Sequence, residues 1–469
     1  MKWMSTVLAL WLCASTFARA AEKPNIIFFL SDDQRNDTLG CAGHAILKTP
    51  NIDKLAAGGT RFVNAFVTTS ICAASRATFL TGHYERSHRF TFRKPPIRKE
   101  LVAQSYPTLL KQAGYRTGFI GKFGVKIHGN PKQMFDYFAP HGRGFFQKTS
   151  DGSKRHETQV AADKAIEFID SSGEKPFCLS VSFKAAHADD GNKRPGSGHY
   201  PWPETVNGMY DDVTVPAPRL GDPKYFELAP KVLQDSMNRD RWFWRWDTPE
   251  KYQLNIRAYF RMISGIDHAI GRVMAHLKEQ KLADNTVIIY AGDNGYYMGD
   301  RGFAGKWSHY EQSLRVPLIV FDPRGDQDVR RGHTPEQMAL NVDVPATIVD
   351  LAGLDIPGAY QGRSLVPLIQ GQTPDDWRDD FFCEHLMHHK RIPKWEGVRG
   401  SRYTYARYFE QDPVYEALFD LSQDPDQLKN LVDDAAHAQV LKKMRKRCDQ
   451  LRDLYGGPYK SSAKGKRKK

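Results

Sequence analysis

Cysteine is scarce in this sequence, and long apolar runs are absent after the N-terminus. The six cysteines in 469 residues lack the close spacing of zinc ligands, so the sequence predicts no zinc site. Beyond the N-terminus no stretch approaches the ~20 consecutive apolar residues of a membrane helix, and we expect no membrane span. No segment has the pattern of a nucleic-acid-binding module, which disfavours nucleic acid as a partner. Hydrophobic residues make up 41% of the chain, which excludes general disorder and allows a large buried core.

The N-terminus has the parts of a secretory signal peptide. Lys2 precedes an apolar run from Val7 to Leu12, and the pattern Ala18-Arg19-Ala20 marks a cleavage site before Ala21. Residues 1–20 are therefore predicted to be a signal peptide. The mature protein is expected to be exported, either to the periplasm or out of the cell.

Much of the positive charge lies at the C-terminus. The formal net charge is +13, and five positive side chains fall between Lys464 and Lys469. We interpret residues 461–469 as a basic tail, which in most proteins is solvated and disordered. The alternative interpretation is that the tail holds the protein near a polyanion such as a sulfated glycan.

Apolar runs of strand length alternate with a segment of helical periodicity. The runs are Pro24 to Leu30, Pro176 to Phe183 and Thr286 to Tyr290, and the helical pattern covers Gln159 to Ile169. A continuous apolar run is typical of a parallel strand that is buried on both faces. The β-α-β order therefore predicts an α/β fold with a parallel sheet.

Two carboxylates, Asp32 and Asp33, follow the first apolar run. Adjacent carboxylates at a strand end are unfavourable unless a positive group lies between them. Hard cations such as calcium prefer oxygen ligands, and the carboxyl ends of strands are where open α/β sheets place their binding sites. The pair therefore indicates a metal site, and the alternative is a solvated loop.

The stretch Thr69 to Gly82, TSICAASRATFLTG, is predicted to be a nucleophile turn that enters a helix. Cys72 lies among small residues, and the fixed positive charge of Arg76 follows it, as an attack on an anionic group requires. The alternative is a buried structural cysteine at the start of a helix.

This stretch fills every fixed position of C-x-[PA]-S-R-x-x-x-L-T-G, and the chain resembles the type I sulfatases, which carry that signature. In this family a formylglycine-generating maturation enzyme oxidises the cysteine to formylglycine (3-oxoalanine), whose hydrate supplies the attacking hydroxyl group. The resemblance spans Pro24 to Leu431 and implies the α/β fold of the alkaline phosphatase superfamily. That fold is a central mixed sheet sandwiched by helices, with a smaller C-terminal α+β subdomain.

The resemblance also implies a metal site and a set of cations that bind sulfate. Asp293 and Asn294, in the segment AGDNG, match the family residues that complete a calcium site. The implied calcium ligands are Asp32, Asp33, the modified Cys72, Asp293 and Asn294. The cations implied to hold the sulfate oxygens are Arg76, Lys122 in GKFG and Lys306 in GKWSHYE.

The histidines are where the sequence departs from the family. Gly124 stands where the family motif GKWHxG has a histidine, which leaves the base for sulfate release unassigned and makes His128 a candidate. His187, in the segment KAAH, is implied to bind substrate and to protonate the leaving alcohol, with Ala186 in place of the usual proline. The next candidates for that acid are His128 and His309.

Residues 199–246 are irregular in composition and are predicted to form an inserted loop region at the mouth of the site. Within it, Arg241 to Trp246, RWFWRW, either stacks on sugar rings and binds anionic groups or packs the insertion onto the body. The predicted domains are a catalytic domain (21–372) and a C-terminal subdomain (373–460). In the latter, the residues interpreted as part of the substrate cleft, without metal spacing, are Glu384, His385, His388 and His389.

These features together predict hydrolysis of a sulfate ester on a carbohydrate, with a polysaccharide preferred over a small aryl sulfate. The sugar and the position of the sulfate stay open. One alternative is a phosphonate or phosphodiester hydrolase of the same superfamily. Another is a non-catalytic relative that binds a polyanion, which Gly124 favours and the intact Cys72 motif disfavours.

Overall fold

The computed structural model describes residues 23–149, 152–324 and 331–459. The predicted signal peptide (1–20) and basic tail (461–469) lie outside these residues. No helix within the described ranges is long and apolar enough to cross a bilayer. The five cysteines described are all free thiols.

The centre of the molecule is a seven-stranded sheet in the order β2-β10-β9-β1-β8-β4-β5. All its strands run parallel except β10, which is antiparallel to both of its neighbours. This arrangement confirms the predicted mixed sheet. The strands of the whole chain are β1 (Asn25–Ser31), β2 (Thr60–Arg61), β3 (Ala65–Phe66), β4 (Arg116–Gly121), β5 (Tyr137–Pro140), β6 (Phe146–Lys148), β7 (Lys154–His156), β8 (Phe177–Ser182), β9 (Thr286–Gly292), β10 (Leu318–Phe321), β11 (Ala339–Leu340), β12 (Asp380–His385), β13 (Trp395–Gly400), β14 (Tyr403–Tyr408) and β15 (Tyr415–Asp420).

Helices cover both faces of this sheet. Along β1, Phe28 packs into the apolar cluster on one face, and Ile27 and Phe29 pack into the cluster on the other. This alternation is why β1 is apolar throughout, and burial of each such side chain contributes about 1.5–3 kcal/mol. The α-helices are α1 (Pro50–Gly58), α2 (Cys72–Thr81), α3 (Glu85–His88), α4 (Lys99–Ala103), α5 (Tyr106–Gln112), α6 (Glu157–Asp170), α7 (Pro223–Glu227), α8 (Lys231–Gln234), α9 (Met237–Arg245), α10 (Pro249–Glu279), α11 (Glu311–Leu314), α12 (Asp343–Leu351), α13 (Val366–Ile369) and α14 (Ala438–Tyr455).

A second, antiparallel sheet is formed by β12 to β15, and α14 packs on it. It is tied to the body beside the nucleophile segment. The fully buried indole of Trp395 donates from Nε1 to the carbonyl of Trp307 at 2.8 Å. Arg86, just after α2, pairs with Glu384 at 2.9 Å and with Glu396 at 2.6 Å. The smaller sheet therefore supports two segments of the site.

The prediction that residues 199–246 form a loop is wrong in part, because this region contains the helices α7, α8 and α9. Ser236 caps α9 by accepting a hydrogen bond from the backbone amide of Asn238 at 3.3 Å. The guanidinium of Arg239 lies 3.9 Å from the ring centroid of Trp242 and 4.6 Å from that of Phe243. These contacts at i+3 and i+4 stabilise a helix, which the irregular composition concealed.

Candidate active site

Cys72 is the first residue of α2, at the carboxyl edge of the central sheet. Its thiol is buried, with only 7% of the residue exposed. Small side chains let α2 approach the sheet closely, and the hydroxyl of Ser75 is fixed by the amide of Asn341 at 3.0 Å. Burial raises the pKa of the Cys72 thiol, although the positive charges of Lys122 and Lys306 oppose this rise. The predicted turn into a helix is thus present.

The acidic residues meet because β1 and β9 are adjacent parallel strands. Ser31 pairs with Gly292, so Asp32 and Asp33 leave the sheet beside Asp293 and Asn294. The backbone amide of Asp33 donates to Asp293 Oδ1 at 3.2 Å. The side-chain amide of Asn294 donates to Asp33 Oδ1 at 2.7 Å. The sheet register therefore brings the predicted metal ligands together.

Several oxygens of this cluster fit a hard cation. Asp32 Oδ1, Asp33 Oδ2 and Asn294 Oδ1 are buried without any hydrogen-bond partner. Ligand atoms of Asp32, Cys72 and Asp293 also lie within 4.8 Å of one another. Unpartnered buried oxygens are costly, and a cation such as calcium would satisfy them. This donor set therefore fits the predicted metal.

Arg76 is locked into the same cluster by four acceptors. Its Nε donates to Asp293 Oδ2 at 2.7 Å, and its Nη1 donates to the carbonyl of Lys122 at 2.7 Å. The Ser182 hydroxyl and the carbonyl of Phe183, at 3.3 Å, accept from the same guanidinium. Because four acceptors hold the guanidinium group, it provides a rigid positive charge beside Cys72.

The two predicted lysines each contact one carboxylate. Lys122 bonds to Asp32, and Lys306 bonds to Asp33. Burial raises the pKa of Asp32, but Lys122, His187 and Arg76 outweigh it and hold that pKa well below its ordinary value. The site therefore holds at least one ionised carboxylate against several cations.

Asp293 behaves differently from Asp32. Burial, together with the negative charge of Asp32, raises the pKa of Asp293 to about 7. The neighbouring Arg76 lowers it but does not cancel that effect. Without a metal, Asp293 is therefore partly protonated near neutral pH, and a cation that uses it as a ligand must displace a proton.

His187 follows β8 and reaches the cluster with one ring nitrogen. Its Nδ1 lies 2.6 Å from the carbonyl of Ala188, so Nδ1 carries a proton. Its Nε2 lies 3.6 Å from Asp33 Oδ2 and 3.9 Å from Asp190 Oδ2. Burial lowers the pKa of His187, while Asp33 opposes the change. The protonated imidazole is therefore a stronger acid than an exposed histidine.

Asp190 is a residue near the site that the sequence reasoning missed. Its carboxylate accepts from Arg245 Nη2 at 2.8 Å and from Arg241. The guanidinium of Arg241 in turn lies 4.6 Å from the ring centroid of Trp307. In the sequence, Asp190 is recognisable only as an acidic residue three positions after His187. The fold shows that Arg241 and Arg245, from the region 199–246, reach its carboxylate.

Two candidate histidines are placed away from this cluster. His128 is exposed, and in the described part of the chain its side chain makes no hydrogen bond or ion pair. His309 is buried, with Nδ1 2.8 Å from the hydroxyl of Tyr408 and its ring stacked on Phe419. His309 therefore packs the smaller sheet onto the body, and the base for sulfate release stays unassigned.

Gly124, where the family has a histidine, is required by its surroundings. Its φ of +70° is a conformation that side-chain-bearing residues rarely adopt. A Cβ atom there would lie 2.9 Å from Cδ of Arg76. A side chain at this position would therefore require Arg76 or the local backbone to move.

The four residues of the C-terminal part that were predicted to help form the substrate cleft do not share one environment. Glu384 and His385 are buried in β12, and Glu384 is occupied by its ion pair with Arg86. His388 is exposed, and His389 is half-buried, in the loop that follows β12. Of these four residues, only His388 and His389 lie where a substrate could contact them.

A mixed sheet between helices, with acids, cations and a cysteine at its carboxyl edge, defines a hydrolase of the alkaline phosphatase superfamily. The Sulfatase family matches residues 24–354, and the N-sulphoglucosamine sulphohydrolase C-terminal family matches residues 299–454. The chain therefore belongs to the sulfatase family, which confirms the predicted family and enzyme class.

Similar proteins support this assignment over the whole chain. An N-acetylglucosamine-6-O-sulfatase of Bacteroides thetaiotaomicron is 28% identical over 512 residues, covering 96% of this chain and 89% of the relative. An arylsulfatase of Clostridium perfringens is 27% identical, covering 90% and 93%. A solved structure in complex with its substrate D-glucosamine-2-N,6-O-disulfate has a TM-score of 0.77 at 25% identity, covering 92% and 98%. The phosphonate monoester hydrolase of Agrobacterium radiobacter has a TM-score of 0.76 at 22% identity, covering 92% and 96%, which shows the shared fold.

Proposed function

We propose that this protein hydrolyses a sulfate ester on a sulfated carbohydrate, with Cys72 converted to formylglycine and with calcium bound at the acidic cluster. The observation that carries the proposal is the meeting of Cys72 with ligand atoms of Asp32 and Asp293, within 4.8 Å of one another, beside buried cations. A nucleophile placed next to oxygen ligands and positive charges suits attack on an anionic sulfur centre.

In this proposal, one set of residues binds the metal and another set binds the sulfate group. Asp32, Asp33, Asp293 and Asn294 would hold the calcium together with residue 72, and the bound ion would supply charge stabilisation for the sulfate oxygens. Formylglycine, when present, supplies a hydroxyl group in place of the buried thiol. Lys122 and Lys306 neutralise Asp32 and Asp33 in the structure described here, and they would turn to the sulfate oxygens when substrate binds. Arg76 stays fixed by its acceptors and adds a positive charge.

A carbohydrate is proposed as the substrate because of both the relatives and the mouth of the site. The relative from Bacteroides thetaiotaomicron is an N-acetylglucosamine-6-O-sulfatase. The carboxylate of Asp190 is about one-third exposed next to His187, and Arg241 lies over the Trp307 ring. Trp307 is buried beneath Arg241, so the partly exposed carboxylate of Asp190 is the group of this set that can accept hydrogen bonds from sugar hydroxyls.

We further propose the remaining assignments drawn from the sequence. Residues 1–20 direct export, a maturation enzyme produces formylglycine, residues 21–372 form the catalytic domain and residues 373–460 form the C-terminal subdomain. The ion pairs of Arg86 support a close association of the two domains, since they join a helix of the first to the sheet of the second.

The test of the function is a comparison of leaving-group-matched substrates on one preparation of matured enzyme. We expect kcat/KM for 4-nitrophenyl sulfate to exceed that for a 4-nitrophenyl phosphonate by about 10²-fold or more, since the site must be tuned to one transition state. Released sulfate from N-acetylglucosamine 6-sulfate and related sulfated sugars then identifies the carbohydrate. A preference for the phosphonate would favour the alternative, which rests on fold similarity to phosphonate monoester hydrolases.

His187 is proposed as the general acid for the leaving alcohol, acting through Nε2. His187→Ala is expected to lower kcat on a sugar sulfate by about 10²–10⁴-fold, the usual contribution of positioned proton transfer. The loss on 4-nitrophenyl sulfate should be much smaller, because nitrophenolate leaves without a proton. Steady-state kinetics on both substrates measure the difference.

The control for this prediction is His128→Ala, since His128 is exposed and its side chain makes no hydrogen bond in the described residues. It should leave both rates unchanged. Equal losses on the two substrates in His187→Ala would instead mean that His187 binds sulfate or supports the site.

A further inference from the structure

A groove of about 820 Å³ lies between the segment that follows α3, the loop after β12 and the end of α14. We call it the basic groove and define it by two cations, a histidine and an apolar wall. The cations are Arg89 and Lys94, the histidine is His388, and the apolar residues are Pro95, Pro96, Leu386 and Tyr459. A groove of this composition suits a ligand that has both anionic groups and weakly polar faces.

Two loops line the basic groove, one at residues 91–96 and the other at residues 386–388. Phe92 belongs to the first of these loops and Met387 to the second. Both side chains pack against the small apolar cluster that contains Ile71 and Trp307. Because Ile71 immediately precedes Cys72, the loops that line the groove pack against the segment that carries the nucleophile.

The cations of the basic groove are available for a ligand. Arg89, Lys94 and His388 are exposed, and in the described parts of the chain their side chains form no ion pair. Some exposed arginines elsewhere on this protein are neutralised, as Arg447 is by Asp380 at 2.7 Å. The groove therefore keeps the positive charges of Arg89 and Lys94.

The acidic group in the wall of the groove does not cancel this charge. Glu85 is buried, and its carboxyl accepts a hydrogen bond from the hydroxyl of Thr69 at 2.6 Å. Burial and the neighbouring Glu384 raise the pKa of Glu85 well above its ordinary value, so Glu85 is neutral. Arg86, the other charged residue in the wall, is balanced by ion pairs with Glu384 and Glu396.

We propose that the basic groove binds the part of a sulfated polysaccharide that extends beyond the sugar being desulfated. The protein then acts on chains rather than on isolated sugars. The sequence that continues from Tyr459, KSSAKGKRKK, carries six further positive residues directly after a residue of the groove. This inference rests on the proposed function for the identity of the ligand, and its geometry is independent of the reaction.

The test measures binding in a Cys72→Ala background, so that turnover plays no part. The probe is a heparin dodecasaccharide, and the variant is Arg89→Gln with Lys94→Gln, which removes two exposed charges. We expect its Kd to rise about tenfold at low salt and the difference to shrink as salt screens the charges. A heparin disaccharide, too short to occupy groove and active site together, should show no such change.

The matched control replaces two exposed lysines outside the groove, Lys54→Gln with Lys278→Gln, and should leave the Kd unchanged. With Cys72 restored, the groove variant should keep wild-type kinetics on 4-nitrophenyl sulfate. An unchanged Kd for the dodecasaccharide, or an equal rise in the control, overturns the proposal. Single-stranded DNA of matched charge that binds as tightly overturns the assignment to a sulfated glycan. Failure of the wild type to cleave any sulfate ester would refute the proposed function and leave this binding result standing.

Discussion

Replacement of Cys72 by alanine is expected to lower kcat on a sulfate ester by about 10⁶-fold, the scale on which removal of a nucleophile slows hydrolases. The reason is that Cys72 begins α2 and its thiol lies within 4.8 Å of ligand atoms of Asp32 and Asp293, where the proposed metal would sit beside it. Alanine fills part of the same space at the helix start, so the fold should persist. Kinetics on 4-nitrophenyl sulfate and thermal unfolding together separate lost chemistry from lost folding.

The matched control is Cys41→Ala, because Cys41 is a free thiol away from this cluster. It should keep wild-type kcat. Peptide mass spectrometry of the active enzyme should find an aldehyde at position 72. If fully active preparations contain only the unmodified thiol, formylglycine is not the nucleophile.

Removal of calcium is expected to abolish turnover and to lower the melting temperature, with both restored on adding calcium back. A ligand present at a hundredfold excess over its Kd stabilises the fold by about 2.7 kcal/mol. Asp293→Ala should lose this calcium-dependent increase in melting temperature along with activity, because ligand atoms of Asp293, Asp32 and Cys72 lie within 4.8 Å of one another and could share one ion. Thermal unfolding with and without calcium gives a readout that needs no substrate.

The control is Asp343→Asn, since Asp343 is a buried carboxylate that pairs with Arg378 far from the ligands in sequence. It should be destabilised, yet still gain stability from calcium. A metal-free enzyme with full activity would show that the acidic cluster has another role.

The pH dependence of the calcium-free protein follows from Asp293. Its pKa is raised from 3.8 to about 7 by burial and by Asp32, so between these values the folded chain holds a proton that the unfolded chain has released. This group therefore destabilises the calcium-free fold as pH rises from about 4 to about 7. Calcium competes with that proton, and its stabilising effect should weaken as pH falls through the same range.

The local sequence determined the family, the strands and most of the cluster. The apolar runs predict β1, β8 and β9 because a strand buried on both faces must be apolar throughout. Asp32 and Asp33 could be found because adjacent carboxylates at a strand end are unfavourable without a positive group between them, and Asp293 because its segment matches the family motif. Cys72 and Arg76 could be found because their motif is short and contiguous.

Only the tertiary structure decided the features that depend on distant segments. Asp190 meets Arg245 because α9 folds back over the end of β8, and no local pattern encodes that contact. Gly124 lacks a Cβ atom that would lie 2.9 Å from Cδ of Arg76, a contact between segments that are remote in sequence. The basic groove likewise joins loops that are almost 300 residues apart, at Lys94 and His388. Sequence patterns report the local chain geometry, whereas these features arise from long-range packing that brings remote residues together.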